Sequence, residues 1–245
     1  MHTAIIVPCY NEFRRLEASK FHEFALQHPE FHIWFVNDGS KDETLSLLQQ
    51  TAAVYPDRIK VYDLPKNGGK AEAIRQGVLF IGQMNQYKYL AFLDADLSAP
   101  LAEILPLSDL IIAHNLDLVA GARVKLVGRS VHRSAARHYF GRVFATYQDS
   151  LLQLGNYDTQ CGLKVFEQKF ALQLFEHPFT SSWFFDIELF VRARNILGRE
   201  SYPLRIAEVP LNEWKEVKGS KLKLTDFAKA PFEVLKIYFK YKNRN

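Results

Sequence analysis

Short apolar runs alternate with stretches of helical periodicity over the first 96 residues of the chain. The predicted strands are the apolar runs 4–8, 33–36 and 89–93 and the mixed run 59–64, which contains Lys60 and Asp63; a segment with apolar positions three or four residues apart follows each of the first three strands in the chain. Runs this short and this apolar are typical of strands that are covered on both faces. The alternation therefore predicts the α/β class, with a mostly parallel sheet flanked by helices on both faces.

The first two helices of this half have recognisable boundaries in the sequence. The first is predicted to run from the end of the first strand to about residue 27, with Phe13 on its apolar side. The second is predicted to begin at Asp42, where Ser40 is an N-cap candidate and Glu43 its capping-box partner. Both helices are expected to pack on the sheet.

The second half of the chain carries a less regular series of elements. The predicted elements are a helix after Pro100, strands at 117–122, 163–166 and 206–210, a helix at 183–197, a polar loop at 212–222 and an amphipathic tail from residue 224. Pro231 lies within this tail and is expected to kink it or to start a new helix.

Two carboxylates separated by one residue end the fourth predicted strand. Successive strand residues face opposite sides, so Asp94 and Asp96 can point the same way just beyond the strand. Converging carboxylates repel each other, and a hard divalent cation such as Mg²⁺ or Mn²⁺, with substrate phosphates as its other ligands, removes the repulsion. The alternative is an acidic turn without a ligand, and this spacing alone does not decide between the two.

Polar clusters also follow the first three predicted strands. Asn11 and Glu12 follow the first, Asp38 follows the second, and the glycine turn at 67–70 follows the third. Ligands of open parallel sheets bind outside the carboxyl ends of the strands. Because every one of these clusters lies at such an end, the pattern favours a shared ligand site over four unrelated polar turns.

The segment 125–142 is basic and contains no acidic residue. Arg129, Arg133 and Arg137 lie four residues apart, so on a helix they would form one basic stripe. Arginine forks match the oxygens of phosphate groups, which favours a phosphate-binding surface. A solvated helix face without a ligand is the alternative.

Charge and cysteine content narrow the class of protein further. The net charge is +4, and the tail carries most of the late positive charge on an amphipathic pattern, which predicts contact with a membrane surface or packing on the core. No apolar run approaches the length of a bilayer-spanning helix, and the N-terminus reads as a first strand and not as a secretion signal. Cys9 and Cys161 are the only cysteines, which favours a reducing, cytoplasmic setting.

Several motifs together resemble those of the inverting family 2 glycosyltransferases with the GT-A fold. The motifs are Ile-Val-Pro-Cys-Tyr-Asn-Glu at 6–12, Val-Asn-Asp-Gly-Ser-Lys-Asp at 36–42, Asn-Gly-Gly-Lys at 67–70 and Asp-Ala-Asp at 94–96. In the second half, the motifs at 158–164, 185–189 and 219–222 are similar to those of the dolichyl-phosphate (polyprenyl-phosphate) glucosyltransferase branch, which has mannosyltransferase relatives. The resemblance covers nearly the whole chain.

The resemblance implies a nucleoside-diphosphate sugar donor, most simply UDP-glucose, and a role for each matching residue. Pro8, Tyr10 and Glu12 would line the nucleotide pocket, Asp38 would hold the base or ribose, Gly69 and Lys70 would approach the nucleotide, Asp94 and Asp96 would hold Mg²⁺ or Mn²⁺ on the diphosphate, and Gln160 and Cys161 would lie at the sugar. The mannosyltransferase relatives often carry Gln where this chain has Ser98, which favours a donor other than GDP-mannose.

The resemblance also divides the chain by function. Residues 1–222 would form the GT-A domain, with a nucleotide-binding half (1–98) and an acceptor half (99–222), and residues 223–245 would form a basic amphipathic tail at a membrane surface. No nucleic-acid partner is predicted, and the oligomeric state is left open. We expect the protein on the cytoplasmic face of a membrane, attached peripherally.

Two acceptors require different chemistry from this site. A lipid phosphate is already anionic at neutral pH and needs cations to hold it, for which Arg123, Arg133 and Arg137 are the candidates, while Lys221 would help to neutralise the departing diphosphate. A sugar hydroxyl needs a carboxylate base instead, and Asp186, followed by Asp158, is the candidate.

Two readings other than a polyprenyl-phosphate glycosyltransferase stay open. One is a family 2 enzyme that adds sugar to a glycan hydroxyl in cell-surface polysaccharide synthesis. The other is a nucleotide-binding module without catalysis, against which the presence of both Asp94 and Asp96 argues.

Overall fold

A computed structural model describes residues 2–132, 135–217 and 224–242 of the chain, with the backbone alone for 135–140 and 224–229. The strands are β1 (His2–Cys9), β2 (Phe31–Asn37), β3 (Ile59–Asp63), β4 (Tyr87–Leu93), β5 (Leu118–Ala122), β6 (Ser130–His132), β7 (Leu163–Glu167), β8 (Ile206–Pro210) and β9 (Glu213–Lys215). The helices are α1 (Ala18–Gln27), α2 (Thr44–Val54), α3 (Lys70–Gly82), α4 (Ile104–Ala113), α5 (Ala135–Leu152), α6 (Gln168–Phe175), α7 (Phe185–Leu197), α8 (Tyr202–Arg205) and α9 (Leu224–Tyr241).

Seven of the strands form one sheet in the order β3-β2-β1-β4-β7-β5-β8. Strand β7 is antiparallel to both of its neighbours, and the other pairs of this sheet are parallel. The predicted α/β fold with a mostly parallel sheet is thereby confirmed. Strands β6 and β9 pair separately, so the prediction of a structureless polar loop over 212–222 was wrong for Glu213–Lys215.

The apolar strands are explained by two core layers, one on each face of the sheet. Within β1, Ala4 and Ile6 belong to one layer, and Ile5 and Val7 belong to the other; all four are fully buried. Side chains of a strand alternate between the two faces, so a strand covered on both sides must be apolar throughout. Because β1, β2, β3 and β4 run parallel, their carboxyl ends lie at one edge of the sheet, where the polar motifs lie.

Three local predictions of the sequence were wrong. Helix α1 begins only at Ala18, and Phe13 is 46% exposed in the turns that precede it. Ser40 does not cap α2, because its hydroxyl accepts a hydrogen bond from the Asn11 N–H instead. Arg129 lies in a turn before β6, so it cannot share a helical stripe with residues of α5.

The C-terminal helix α9 packs against the core along one side. Ala230, Val234, Ile237 and Tyr241 are buried and belong to the same core layer as the first residues of β1. Pro231 lies inside this single helix. Within the described ranges, no helix is both long and apolar enough to cross a membrane.

Candidate active site

The glycine turn after β3 is fixed by Asp38 at the end of β2. The two carboxylate oxygens of Asp38 accept hydrogen bonds from the Gly68 N–H at 2.7 Å and the Gly69 N–H at 2.9 Å. The Asn67 amide donates to the same carboxylate at 2.9 Å. Gly69 has a φ of +86°, a conformation that favours glycine, and it directly precedes α3. The turn therefore presents the N-terminus of α3 at the edge of the sheet in a fixed geometry.

Glu12 is also held by protein groups. Its carboxylate, 5% exposed as a residue, receives two hydrogen bonds of 2.8 Å from the Arg15 guanidinium. Its own N–H donates to Thr44 Oγ1 at 2.8 Å, which ties the end of β1 to the start of α2. Pro8 and Tyr10 are half-buried at the same edge. The predicted nucleotide contacts of Pro8, Tyr10, Glu12 and Asp38 stay predictions.

Lys70, the first residue of α3, joins the glycine turn to the Asp pair. Its Nζ lies 2.5 Å from Asp94 Oδ1. Burial opposes the charged form of Lys70, but the negative charges of Asp94, Asp186 and Asp96 outweigh this effect and raise its pKa. The ammonium therefore stays charged and lies within electrostatic reach of all three carboxylates.

Ser98, the residue at which this chain departs from the mannosyltransferase pattern, orients Asp96. Its Oδ1 accepts hydrogen bonds from Ser98 N at 3.0 Å and from Ser98 Oγ at 2.8 Å. No Lys or Arg of the described residues forms an ion pair with it. Leu97, between the two, has a φ of +51°, a left-handed conformation that costs a leucine energy and is often found at functional sites.

The segment 158–164 approaches the Asp pair closely. A Cβ atom built on Gly162 would overlap the Asp94 carboxylate, so only glycine fits at this position. Strand β7, which begins one residue later, pairs with β4 such that Leu163 lies opposite Leu93. The close approach therefore places Gly162 against Asp94, and the predicted sugar contacts of Gln160 and Cys161 stay predictions.

Arg123 and Asp158 form a second pair at this end of the sheet. Arg123 Nε and Nη2 each donate to the Asp158 carboxylate at 2.7 Å, and its backbone N–H donates at 3.0 Å. Burial opposes the charge of Arg123, but Asp158 outweighs this effect and raises its pKa. Burial and the neighbouring Asp158 charge raise the pKa of Cys161 to about 12, so its thiol is neutral at physiological pH.

Lys164 is a site residue for which the sequence predicted no role. Its side chain is fully buried, and its ammonium donates to Asp186 Oδ1 at 2.6 Å and to the Cys161 carbonyl at 2.7 Å. It lies opposite Phe92 of β4 and close to the Phe92 and Phe190 rings. A lysine within an otherwise apolar strand was the available signal, because a buried charge requires a partner.

Gln160 offers an unused donor beside these pairs. Its backbone N–H donates to Asp158 Oδ1 at 3.3 Å. Its side-chain Nε2 is buried and has no hydrogen-bond partner among the described residues. Buried amide groups are nearly always paired, so an unpaired one at a predicted ligand site indicates a missing partner.

Three predicted phosphate contacts stay predictions. Arg133 and Lys221 lie outside the described residues, and only the backbone of Arg137, on α5, is described. Arg129 binds the Pro210 carbonyl at 2.9 Å and the Asn212 side chain, away from the predicted stripe.

The donor set of Asp94 and Asp96 suits a divalent metal whose remaining ligands come from a diphosphate and water. No cluster of three or more His, Cys, Asp or Glu side chains with metal-ligand geometry occurs in the described part of the chain. Mg²⁺ commonly binds through one or two carboxylates together with substrate phosphates. The Lys70 ammonium shows that Asp94 accepts a cation at this position. Asp94 and Asp96 therefore fit a divalent metal ion.

Comparisons with known proteins identify the family. The family model described as "Glycosyl transferase family 2" matches residues 4–175. A dolichyl-phosphate beta-glucosyltransferase of Trichomonas vaginalis is 31% identical over 98% of this chain and 72% of its own length. The dolichyl-phosphate beta-glucosyltransferase of Homo sapiens is 33% identical over 89% of this chain and 69% of its own length.

Solved structures agree on the fold. The mannosyl-3-phosphoglycerate synthase of Rubrobacter xylanophilus superposes with a TM-score of 0.72 at 15% identity, over 100% of this chain and 75% of its own. The glucosyl-3-phosphoglycerate synthase of Mycobacterium tuberculosis, solved with Mn²⁺, UDP and phosphoglyceric acid, gives a TM-score of 0.70 at 17% identity, over 99% and 78%. Together with the sheet and the match over 4–175, these likenesses confirm the GT-A fold and show that the chain belongs to glycosyltransferase family 2.

Proposed function

We propose that the protein transfers glucose from UDP-glucose to dolichyl phosphate or another polyprenyl phosphate, with inversion at the anomeric carbon and with a divalent metal. The named relatives, similar over most of their length, are dolichyl-phosphate beta-glucosyltransferases, which supports the sugar and the acceptor. The structural neighbour solved with Mn²⁺ and UDP supports the metal and the nucleotide.

The donor end of the site is built around the N-terminus of α3. Asp38 holds the glycine turn through the Gly68 and Gly69 N–H groups, so the N-terminus of α3 and the Lys70 ammonium beside Asp94 lie at the same edge of the sheet. A helix N-terminus with a lysine favours the negative charge of a diphosphate. Asp94 and Asp96 would hold the metal on that diphosphate, where it acts as a Lewis acid on the leaving group.

The ion pairs of the two candidate bases, Asp158 and Asp186, are the observation that favours one acceptor over the other. Asp158 is held by two donors of Arg123, and Asp186 is held by the fully buried Lys164. A carboxylate that took a proton from a hydroxyl acceptor would have to give up its ion pair at that moment. An acceptor that is already anionic makes no such demand, so the pairing favours a phosphate over a glycan hydroxyl.

In this reaction the protein residues bind, orient and neutralise. Ser98 fixes Asp96 toward the metal position, and Lys70 neutralises charge beside Asp94. The unpaired Gln160 amide is available for a hydroxyl of the donor sugar, and Lys164 holds the Cys161 carbonyl that follows it. The acceptor oxygen attacks the anomeric carbon from the face opposite the nucleotide, the bond to the diphosphate breaks, and UDP leaves with its electron pair.

The halves and the tail keep their proposed roles. Residues 1–98 supply the donor contacts above, and residues 99–222, with Arg123, Arg133 and Arg137, would hold the acceptor phosphate. Our proposal keeps the protein bound peripherally at the cytoplasmic face of a membrane. The membrane contact is supported by α9, which exposes Phe232 and Phe239 seven residues apart, with the exposed Lys236 between them.

A donor and acceptor screen tests the proposal. UDP-glucose, GDP-mannose and UDP-N-acetylglucosamine, radiolabelled in the sugar, are each incubated with polyprenyl phosphate and Mg²⁺ or Mn²⁺. We expect lipid-linked label from UDP-glucose alone and none after chelation of the metal. Transfer to a glycan hydroxyl in place of the lipid would establish the alternative acceptor.

Asp96→Asn tests the metal role directly. We expect transfer to fall by at least about a hundredfold, because the metal that would stabilise the departing diphosphate loses one of its two carboxylate ligands, while the fold is unchanged. Asp109→Asn, at an exposed position of α4, is the matched control. Undiminished transfer by the Asp96 variant would remove the Asp pair from the mechanism.

A further inference from the structure

A tight turn projects from the sheet between β5 and β6. The Arg129 N–H donates to the Leu126 carbonyl at 3.2 Å, and Gly128, the third residue of the turn, has a φ of +82°. This is the pattern of a type II turn, in which the third position needs glycine. The turn places Leu126 and Val127 at its tip, with Lys125 exposed immediately before them.

The tip carries apolar side chains into open solvent. Val127 has a relative exposure of 106%, the highest among the exposed large apolar residues of the described part of the chain, and Leu126 has 45%. A Cβ atom built on the neighbouring Gly128 would have nothing within 4 Å. The Val127 side chain is therefore not covered by another part of the described structure and that of Leu126 is only partly covered, and a type II turn gains nothing from valine at its second position.

The base of the turn is fixed, which distinguishes it from a mobile loop that happens to be apolar. Arg129 donates to the Pro210 carbonyl at 2.9 Å and also contacts the Asn212 side chain. The Ser130 N–H donates to the Asn212 carbonyl at 2.7 Å, and β6 continues into its pairing with β9. The apolar tip is thus presented on a rigid support.

The turn lies next to the proposed acceptor site along the chain. Arg123, which holds Asp158, ends β5 only three residues before Leu126. Both stand beyond the carboxyl end of β5, where ligands of such sheets bind. A polyprenyl phosphate keeps its chain in the bilayer, so the protein surface around its phosphate must lie against the lipid headgroups.

We propose that Leu126 and Val127 insert into a phospholipid bilayer, and so hold the acceptor site at the membrane surface. This inference rests on the proposed lipid acceptor. Two apolar side chains expose too little surface for a stable protein interface, which needs about 800 Å² on each partner, but they suffice as a shallow membrane anchor. Lys125 beside the tip favours a leaflet with anionic headgroups.

Vesicle binding tests the proposal without donor or acceptor. The protein is sedimented with phosphatidylcholine vesicles that contain phosphatidylserine, as wild type and as the double variant Leu126→Ser with Val127→Ser. We expect the partition coefficient of the double variant to fall about tenfold or more, because two apolar side chains lose their burial. A residual affinity from α9 is consistent with this result.

The matched control is Leu204→Ser. Leu204 is 74% exposed and lies before β8, so it stands at the amino end of a strand parallel to β5, opposite the turn. It should bind vesicles like wild type. Equal binding by wild type and the double variant, an equal loss in the control, or no vesicle binding by wild type would each overturn the proposal. So would a change in self-association of the double variant in light scattering, since that would make the tip a protein contact.

A second readout separates this proposal from the proposed function. With a short-chain, water-soluble polyprenyl phosphate the double variant should retain wild-type turnover, and with long-chain acceptor in vesicles its KM should rise. A third outcome is that the double variant loses vesicle binding while the wild type transfers glucose to neither acceptor. This outcome would support the membrane contact and reject the lipid acceptor. Equal KM values with vesicle acceptor would reject the role of the tip in catalysis at the membrane.

Discussion

Asp186 and Glu188 are two buried acids in the first turn of α7, and they serve opposite sides of the molecule. Asp186 faces the sheet, where Lys164 holds it beside the Asp94 site. Glu188 is fully buried on another side and binds the C-terminal helix. Residues two apart on a helix do not share a face, so this divergence follows from their spacing, but their partners do not.

Glu188 collects donors from three elements. It accepts hydrogen bonds from Thr180 N at 2.6 Å, Arg192 at 2.9 Å, Lys240 at 3.0 Å and the Tyr241 hydroxyl at 2.8 Å. Burial opposes its ionisation, but the donors from Thr180, Lys240 and Tyr241 outweigh this effect and hold its pKa below the usual value of a glutamate. The carboxylate is thus a structural junction between α7, α9 and the loop before α7.

The two acids teach that burial with a cation does not by itself indicate a catalytic group. Asp186 has a single ion-pair partner, Lys164, and its negative charge also helps to raise the pKa of Lys70 and of Arg123. Glu188 has its acceptor capacity filled by protein donors. We therefore expect the two sites to separate when stability and transfer are measured on the same variants.

The largest effect on stability is expected from Glu188→Gln. Loss of the charge leaves the buried Arg192 without its carboxylate, which should lower the free energy of unfolding by about 3–5 kcal/mol. Chemical denaturation measures the change, with the exposed Glu200→Gln as control. The surviving folded fraction should keep near-normal specific transfer activity; a variant of wild-type stability but lost activity would reverse the roles assigned to the two acids.

Lys164→Met should lower both stability and transfer. The substitution leaves Asp186 buried without its cation, which should lower the free energy of unfolding by about 3–5 kcal/mol. The loss should lie at the lower end of this range, because the Asp186 carboxylate faces the site. Adding Asp186→Leu removes the stranded charge, so most of the stability should return while transfer stays lost. Denaturation and single-turnover assays measure the two quantities, and Lys169→Met on the exposed side of α6 is the control. Recovery of transfer in the double variant would show that the pair serves the fold alone.

Tyr241→Phe should give the smallest change. The hydroxyl donates to Glu188 and accepts from Arg192 Nε at 3.0 Å, but both groups keep other partners. We expect the free energy of unfolding to fall by about 1.5 kcal/mol, and we expect no change in the rate of glucose transfer to a soluble acceptor. Tyr238→Phe, on the same helix, controls for the loss of a hydroxyl. An effect as large as that of Glu188→Gln would mean that the tyrosine, and not the glutamate, holds the junction.

The fold was largely predictable because strands covered on both faces must be apolar. The runs that became β1, β2 and β4 have this property, whereas β3, at the edge of the sheet, is mixed and half-buried; the polar residues after all four marked the expected ligand edge. The antiparallel direction of β7 has no such signature, since a buried strand reads the same in either direction. The true partner of Ser40 is Asn11, 29 residues away in the chain, so local capping rules could not predict it.

The site was predictable where a motif carried it and hidden where a contact created it. The Asp94 and Asp96 spacing and the glycine turn indicated a ligand site once their common position at the carboxyl ends of the strands was considered. Gly162 owes its importance to the carboxylate that comes against it from another strand, and Lys164 owes its own to Asp186 from α7. Neither partner is a sequence neighbour, so periodicity could not reveal them.

The ion pair between Lys70 and Asp94 makes the order of binding a thermodynamic question. If Asp94 holds the metal as we propose, a metal that arrives alone would compete for this carboxylate with the Lys70 ammonium, 2.5 Å from Asp94 Oδ1. A metal that arrives with a diphosphate gives that ammonium a new anion, so the competition disappears. Nucleotide and metal should therefore raise each other's affinity by the same factor, as linkage requires. The ion pair between Lys70 and Asp94 in the free protein would therefore disfavour binding of the metal alone and favour binding of the metal together with the nucleotide.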